Sequence, residues 1–316
     1  MNILLTGGAG YIGSHVADLA RHSGHHCWVV DDLSTGLLER VPEGVVQLNL
    51  SEPKAEEILA QLMKDNAIDA VIHLAARKQV GQSVEMPEFY FQDNVGGMAT
   101  LLNAMRTVGV KKMVFSSSAA TYGMPNVEKV TEETECKPIN PYGQTKLIGE
   151  WMVKNAKVWG LKSSSLRYFN VAGATSSKFA DTAALNLIPI IIEAVRAGKP
   201  VSVFGDTYPT SDGSCIRDYV HVADLARAHL ASLESLEAAK TDSSIYNVGT
   251  GVGASVFDVI NGMKAIIGED FPVEVKPPRA GDPPRLVADV AKIERELGFK
   301  AEFGLTDILE SAWRFS

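Results

Sequence analysis

Tyr142 and Lys146 are the residues whose types and spacing have the plainest chemical use. They stand four apart in Pro141-Tyr142-Gly143-Gln144-Thr145-Lys146, and Leu147, Ile148 and Trp151 continue at roughly helical spacing. On a helix, residues four apart share one face with about 5–6 Å between Cβ atoms, so an ammonium can stand beside a phenol. A free phenol, with a pKa near ~10, is a poor base at neutral pH; making it one takes ~4 kcal/mol of preferential stabilisation of the phenolate. A neighbouring cation supplies part of that. Many amphipathic helices carry such a pair for packing alone, so its meaning depends on what the chain builds around it.

The chain opens on the apolar run of residues 2–6, broken by Gly7-Gly8-Ala9-Gly10-Tyr11-Ile12-Gly13, after which Val16, Leu19 and Ala20 recur at helical spacing. This predicts a strand, a glycine turn and a helix. Gly8, Gly10 and Gly13 satisfy G-x-G-x-x-G, and Gly7, Gly10 and Gly13 satisfy G-x-x-G-x-x-G. Glycines here permit a tight turn, close approach of backbone to a pyrophosphate and close packing of helix on strand. The helix N-terminus then turns unpaired N–H groups toward the anion. The next apolar run, 27–30, ends in Asp31 and Asp32, which places a carboxylate where a second strand would present it to an adenosine ribose. A carboxylate repels a 2′-phosphate and no arginine immediately follows, so charge favours NAD over NADP.

Residues 45–48 and 70–75 read as the third and fourth strands, with a helix at about 53–64 between them, and the βαβαβ order of a Rossmann-type doubly wound α/β sheet emerges. Arg77 and Lys78 follow in a loop, a long helix is expected at about 87–108, and 112–116 is another strand. That strand runs into Ser116-Ser117-Ser118 at the carboxyl edge, where open parallel sheets bind ligands. Serines often cap turns at such places; the functional alternative aims one hydroxyl at substrate. A further strand, 163–169, closes with Tyr168-Phe169-Asn170.

Beyond this the alternation becomes irregular: a helix at about 182–197, a strand at 201–204, a polar loop at 206–214, strand end plus helix over 218–236, a strand at 245–248 and a helix at 257–267. The expected division is residues 1–170 with about 218–248 as the dinucleotide-binding domain, and about 171–217 with 249–316 as a smaller α/β substrate lobe. Gly249, Gly251 and Gly253 read as a turn before a helix capped by Ser255, since no acid-ended strand follows at the distance a second nucleotide site needs. The proline-rich stretch 277–284 is expected to be a rigid loop.

Composition excludes several classes. With 30 Lys+Arg against 38 Asp+Glu and a net charge of −8, a nucleic-acid surface is not expected. No run reaches the ~18 apolar residues of a membrane span, and the opening residues lack the basic region and cleavage site of a secretory signal. Cys27, Cys136 and Cys215 form no CxxC pair, which fits reduced structural thiols in a cytoplasmic protein. The seven histidines show no metal spacing, so no metal is expected.

The residues from Thr6 to His15, Ser116 to Gly123, Tyr142 with Lys146, Arg167-Tyr168-Phe169-Asn170 and Arg217-Asp218-Tyr219-Val220-His221-Val222, in that order and over nearly the whole chain, closely resemble the extended short-chain dehydrogenase/reductases, and within them the enzymes that invert C4 of nucleotide sugars. The resemblance implies Tyr142, Lys146 and Ser118 as catalytic residues. It implies NAD contacts at Gly7, Gly10, Tyr11, Ile12, Gly13, Asp31, Asp32, Leu33, Ser34, Leu74, Ala75, Lys78, Tyr142, Lys146 and Phe169. It implies nucleotide-sugar contacts at Ser118, Tyr142, Asn170, Asn186, Phe204, Arg217, Arg279, Asp282 and Leu286. The reaction implied is reversible epimerisation at C4 of a UDP-hexose, UDP-glucose to UDP-galactose, through a transient 4-keto sugar with NAD kept bound, in a cytoplasmic homodimer. Tyr142 would take the 4-hydroxyl proton, Ser118 would hydrogen-bond the same oxygen, and Lys146 with the cationic nicotinamide would favour phenolate. Arg217 and Arg279 would hold the diphosphate.

Two positions depart from the pattern. Asn49 stands where relatives have an acid near the adenine, and Leu286 where enzymes restricted to unacetylated sugars carry a large aromatic, which implies room for UDP-N-acetylhexosamines. The related 4,6-dehydratases need an Asp-Glu pair where this chain has Ala119 and Ala120, so dehydration is disfavoured. Epimerases of UDP-pentoses or UDP-uronates and the NAD-dependent UDP-glucuronate decarboxylases share the scaffold. A non-catalytic NAD-binding regulator would predict a broken Tyr, Lys or Ser, and a simple dehydrogenase would release reduced cofactor.

Overall fold

The computed structural model describes residues 1–183, 185–238, 243–279 and 281–316. In chain order the strands are β1 (Asn2–Thr6), β2 (His26–Asp31), β3 (Val46–Gln47), β4 (Ala70–His73), β5 (Lys112–Ser116), β6 (Lys162–Tyr168), β7 (Asn170–Ala172), β8 (Val201–Phe204), β9 (Ile216–His221), β10 (Ser243–Val248), β11 (Gly253–Ser255), β12 (Val273–Lys276) and β13 (Arg285–Leu286). The chain divides into two compact units, one of residues 1–121, 138–167 and 226–246, the other of residues 122–137, 168–225 and 247–316.

The first unit is built on a seven-stranded sheet in the order β10-β6-β5-β4-β1-β2-β3. The pairings from β6 through to β3 are parallel. β4 is buried at every position, Ala70, Val71, Ile72 and His73, as expected of a strand covered on both faces, whose sequence is then an unbroken apolar run instead of an alternation. One face carries the core of Leu4, Val30, Leu59, Val71, Met98, Leu101, Met105 and Met113 under the helices Ala55–Asp65 and Gly97–Val108. Order reverses between β1 and β4, the switch point at which open α/β sheets bind ligands outside the strands' carboxyl ends.

The second unit is organised on β9, which pairs with β7 and β13 in parallel and β11 antiparallel, beside a parallel pair β8–β12. The helices Leu187–Arg196, Val256–Ile267 and Leu305–Phe315 close a core of Ile188, Ile191, Val201, Tyr219, Ile260, Met263 and Ile308. Ser255 caps the Val256–Ile267 helix in a capping box with Asp258.

Four expectations are corrected. Residues 122–137 belong to the second unit, because Val130 exchanges backbone hydrogen bonds with Val287 and Asp289 at 2.9 and 2.8 Å and the Tyr122 hydroxyl donates to Asn247 at 2.6 Å. Residues 218–225 belong there too, since the partners of β9 lie outside the seven-stranded sheet. The helix expected over 87–108 is Pro87–Tyr90, a π-helical turn at Phe91–Gly96 and then Gly97–Val108. The helix expected from about 182 starts at Leu187, and residue 184 within that expectation lies outside the described residues.

Candidate active site

The helix Pro141–Asn155 begins in a way its sequence dictates. Pro141 occupies the first turn, where its missing N–H is no loss, and the Asn140 side chain accepts from Gly143 N at 2.8 Å. This start holds Tyr142 buried, at 8% exposure, in the first turn. Gly143 lets the helix lie against the turn after β5: a Cβ there would fall 2.6 Å from Ala120 O and 3.1 Å from Pro138 Cβ. That close approach sets the Tyr142 phenol against Ser118, whose hydroxyl hydrogen-bonds it.

The three serines ending β5 divide their work. Ser116 offers its carbonyl to Lys146 Nζ at 2.8 Å and its hydroxyl to His229 at 2.7 Å. Ser117 donates to Glu150. Ser118 meets Tyr142 and accepts from Ala120 N at 3.1 Å. Glu150, one helical step beyond Lys146, forms a buried two-pronged ion pair with Arg167 at 2.8 and 2.6 Å. Neither Glu150 nor Arg167 was singled out for a role from sequence, although Tyr142, Lys146 and Glu150 repeat at i, i+4 and i+8. That repeat was the available signal.

Lys146 Nζ lies 5.9 Å from the centroid of the Tyr142 ring, so the two share a face as the spacing predicts. The electrostatics differ from the simple expectation. Burial pushes the Tyr142 phenol up, against a lowering by the Ser118 hydrogen bond. Burial also brings the Lys146 ammonium down to about 7, opposed by Glu150. A cation that is itself expensive to desolvate is a weak acidifier, so a phenolate here needs positive charge beyond that of Lys146.

At the glycine turn, Gly7 has φ +76° and a Cβ on it would lie 2.6 Å from Ala75 N; at Gly13 it would lie 2.1 Å from Gly7 O. Both positions therefore require glycine. A Cβ at Gly10 would meet only Gly7 O, at 3.3 Å, and no side chain caps the helix Tyr11–His22 that Gly10 begins. The open space over Gly10 and the uncapped helix start fit a pyrophosphate. Leu74 and Ala75, where β4 ends, hang from Thr6 O through their N–H groups at 2.9 and 3.0 Å, and Lys78 is exposed on the loop that follows.

The two aspartates at the end of β2 part company. Asp31 is buried and faces the glycine turn, accepting from Ala9 N and Leu33 N at 2.9 Å each, and Leu33 is held at φ +58°. Burial pushes its carboxyl up while these N–H groups pull it down. Asp32 accepts from Ser34 N at 2.9 Å and from Arg77 Nη2 at 2.8 Å. No arginine immediately follows Asp32 in sequence, yet the loop after β4 brings one from 45 residues away. Arg77 also donates to Asp93 Oδ2 at 2.7 Å and to the Ser34 hydroxyl at 2.6 Å. Its backbone is gripped by Asn94 of the π turn, which reaches Thr145 of the Tyr142 helix as well, at 3.0 Å. Asn49 turns its oxygen to Ser51, whose hydroxyl also lies 2.9 Å from Asp93.

In the second unit Arg217, on β9, is only 12% exposed; it pairs with Asp282 and donates to Ile216 O at 2.8 Å. From sequence alone it would pass for a surface charge. Arg279, on the loop from β12 to β13, stacks 3.8 Å from the ring centroid of Phe204 at the end of β8. Leu286 is the partner of Arg217 across β13 and β9, and Asn170 the partner of Tyr219 across β7 and β9. Asn186 precedes the Leu187–Arg196 helix without capping it. Phe169 is buried in the same unit, its N–H on Val248 O at 3.3 Å. Five expected residues, Phe204, Arg217, Arg279, Asp282 and Leu286, are thus joined by contact or register; for Asn170, Asn186 and Phe169 other partners are the ones seen.

The second glycine cluster wraps a buried carboxylate. Asp218 accepts from Thr250 N, Gly251 N and Ala288 N at 2.8, 2.9 and 3.2 Å. Among the described residues no group of His, Cys, Asp and Glu could hold a metal, and no helix is long and apolar enough to cross a membrane.

Residues 3–249 match the NAD dependent epimerase/dehydratase family. The chain is 42% identical to the UDP-glucose 4-epimerase of Corynebacterium glutamicum, an alignment covering all of this chain and 96% of that one. It superposes with TM-score 0.94 on the UDP-glucose 4-epimerase of Brucella ovis in complex with NAD, 41% identical over 99% of this chain and 98% of that one. The TM-score is also 0.94 with the Stenotrophomonas maltophila UDP-glucose-4-epimerase bound to NAD and formylated UDP-arabinopyranose, 38% identical over 100% and 97%. With its parallel sheet, glycine turn and buried Ser118, Tyr142 and Lys146, the chain belongs to the NAD dependent epimerase/dehydratase family.

Proposed function

We propose that this chain interconverts UDP-glucose and UDP-galactose by reversible inversion at C4, using tightly held NAD. The observation that carries the reading is the grouping of Ser118, Tyr142 and Lys146 at the carboxyl edge of the sheet whose β1 leads into an open glycine turn. Gly7, Gly10, Tyr11, Ile12 and Gly13 would hold the pyrophosphate, Asp31 to Ser34 the adenosine ribose, and Leu74, Ala75, Lys78, Lys146 and Phe169 the remainder. NAD held there would supply the acceptor and donor of the C4 hydride and the positive charge of its nicotinamide.

The chain's own groups handle the proton and the orientation. Tyr142 Oη takes the proton of the sugar 4-hydroxyl and later gives it back, and the Ser118 hydroxyl steadies the same oxygen. Lys146, anchored on Ser116 O, is kept toward its charged form by Glu150. A sugar that must turn over between two hydride transfers needs firm binding of the part that does not react. Arg217 and Arg279 supply that at the diphosphate, with Asp282 and Phe204 setting their directions and Asn170 and Asn186 adding amide contacts. Leu286 beside Arg217 leaves more room than an aromatic would, which supports acceptance of UDP-N-acetylhexosamines.

Homodimer formation and a cytoplasmic location complete the proposal. Val84 and Trp151, exposed apolar side chains on the neighbouring helices Val80–Glu85 and Pro141–Asn155, support the dimer. The test is incubation of the purified protein with UDP-glucose, UDP-galactose and their N-acetyl forms, with no cofactor added and products resolved by chromatography. Interconversion is expected from wild type, and Tyr142→Phe should keep its NAD while losing most turnover. A Phe variant of near-normal rate removes Tyr142 as the base, and accumulation of reduced cofactor with substrate points to a simple dehydrogenase instead.

A further inference from the structure

We propose that Arg77 is a ready partner for a 2′-phosphate which Asp32 and Asp93 keep neutralised, so that this corner selects the unphosphorylated dinucleotide; the inference rests on the reading of the glycine turn as the NAD site. Rossmann-type sites place the adenosine 2′-oxygen at the end of the second strand, where an acid accepts the hydroxyl or an arginine accepts the phosphate. This chain has both kinds of group there. Each nitrogen of the guanidinium has a partner: Nη2 on Asp32 at 2.8 Å, Nε on Asp93 at 2.7 Å and Nη1 on the Ser34 hydroxyl at 2.6 Å. It also lies 5.0 Å from the Phe89 ring centroid, and Asn94 pins its backbone.

One cation against two carboxylates leaves the corner with a net charge of −1. A 2′-phosphate arriving there meets a closed fork and excess negative charge, although the cation it needs is already in place. Asp31, which accepts from Ala9 N and Leu33 N, is untouched by the replacements that follow, so its charge is common to every variant compared. Side-chain exposures of 21%, 27% and 11% for Arg77, Asp32 and Asp93 leave the cluster reachable from solvent.

Amide replacements isolate the charge. Asp32 Oδ1 receives the Ser34 N–H and hydroxyl, and Asp93 Oδ1 the Ser51 hydroxyl, roles an asparagine oxygen can keep. Asp32→Asn with Asp93→Asn turns the net charge from −1 to +1 and frees two donors of the fork. Binding is read by equilibrium dialysis of the purified chain against labelled NAD or NADP, with carried-over nucleotide measured by chromatography of an acid extract. Wild type is expected to favour NAD, and the double variant to shift the ratio of NADP to NAD affinity toward NADP by at least about tenfold, a gain that shrinks with added salt. Arg77→Gln in the double-variant background should remove the gain. An unchanged ratio in the double variant, or a gain that survives Arg77→Gln, overturns the proposal. Should the double variant fail to fold, Asp32→Asn alone is expected to give a smaller gain with the same dependence on Arg77, and no gain there is equally fatal. Wild-type protein that binds neither dinucleotide sinks the cofactor reading itself, which is distinct from intact NAD binding with no shift toward NADP.

Discussion

Replacing Gly143 by alanine separates helix stability from catalytic geometry. In a helix interior that swap ordinarily stabilises by roughly 0.5–1 kcal/mol, because glycine loses more backbone freedom on folding. Here the new methyl would sit 2.6 Å from Ala120 O, 3.1 Å from Ala120 C and 3.1 Å from Pro138 Cβ. Restoring an ordinary contact of about 3.4 Å or more to the carbonyl requires the helix start and the turn after Ser118 to separate by roughly 0.8 Å, since neither backbone atom of Ala120 can rotate away. Overpacking of this kind typically destabilises by ~1–3 kcal/mol, so the helix gain is cancelled and a net loss of about 1–2 kcal/mol is expected. The larger effect falls on chemistry. Tyr142 and Ser118 lie on the two segments being pushed apart, and displacements near 1 Å from productive geometry cost on the order of 10²-fold in rate. The expected result is a fall of ~10–100-fold in kcat with a small change in KM, measured by coupled assay of UDP-galactose conversion, beside a modestly lowered Tm. A variant with a raised Tm and wild-type kcat would refute the reasoning, because the contact that glycine permits would then have no bearing on the site.

Removing one partner of the buried pair by Glu150→Ala takes the carboxylate away from the Arg167 guanidinium and should destabilise by roughly 3–5 kcal/mol by chemical denaturation; a loss below 1 kcal/mol would mean that the pair contributes little to the fold. Lys146 sits near 7 when folded against an ordinary value near ~10.5, so between those values the unfolded chain binds a proton the folded chain does not, and this group's contribution to stability rises with pH across that window. Lys146→Met should therefore be more stable than wild type by up to a few kcal/mol at pH 6, less the lost Ser116 bond, with the advantage fading as pH climbs through 7 toward 10; an advantage independent of pH would contradict the assigned burial. Leu286→Tyr should depress kcat/KM for UDP-N-acetylglucosamine at least tenfold more than for UDP-glucose, and equal losses on both sugars would dissociate Leu286 from the acetyl group.

Local chemistry made much of this protein legible from its residues. The switch from apolar run to glycine turn to helical period announced the first βα unit, and the Asn140-Pro141 start with Tyr142 and Lys146 four apart announced the helix that carries them. Short-range effects of that kind, a glycine's φ, a cap, a four-residue repeat, depend on neighbours in sequence and can be read there. Residue types alone placed the third member only at a strand ending in three serines, and the family resemblance singled out Ser118; the separate duties of the three depend on Lys146 and His229, groups 30 and 113 residues distant from Ser116.

Long-range pairing is what only the tertiary structure decided. Arg77 reaches Asp32 across 45 residues and Asp93 across 16, and Arg217 reaches Asp282 across 65, so charges that looked solvated are held partners. The assignment of residues 122–137 and of β9 to the second unit likewise follows from strand and backbone partners far along the chain. The sign of the catalytic electrostatics was decided there as well: spacing puts an ammonium beside a phenol, but burial, a property of the folded interior, weakens the cation and resists the anion, so the pair's acid–base behaviour could not be read from the residues alone.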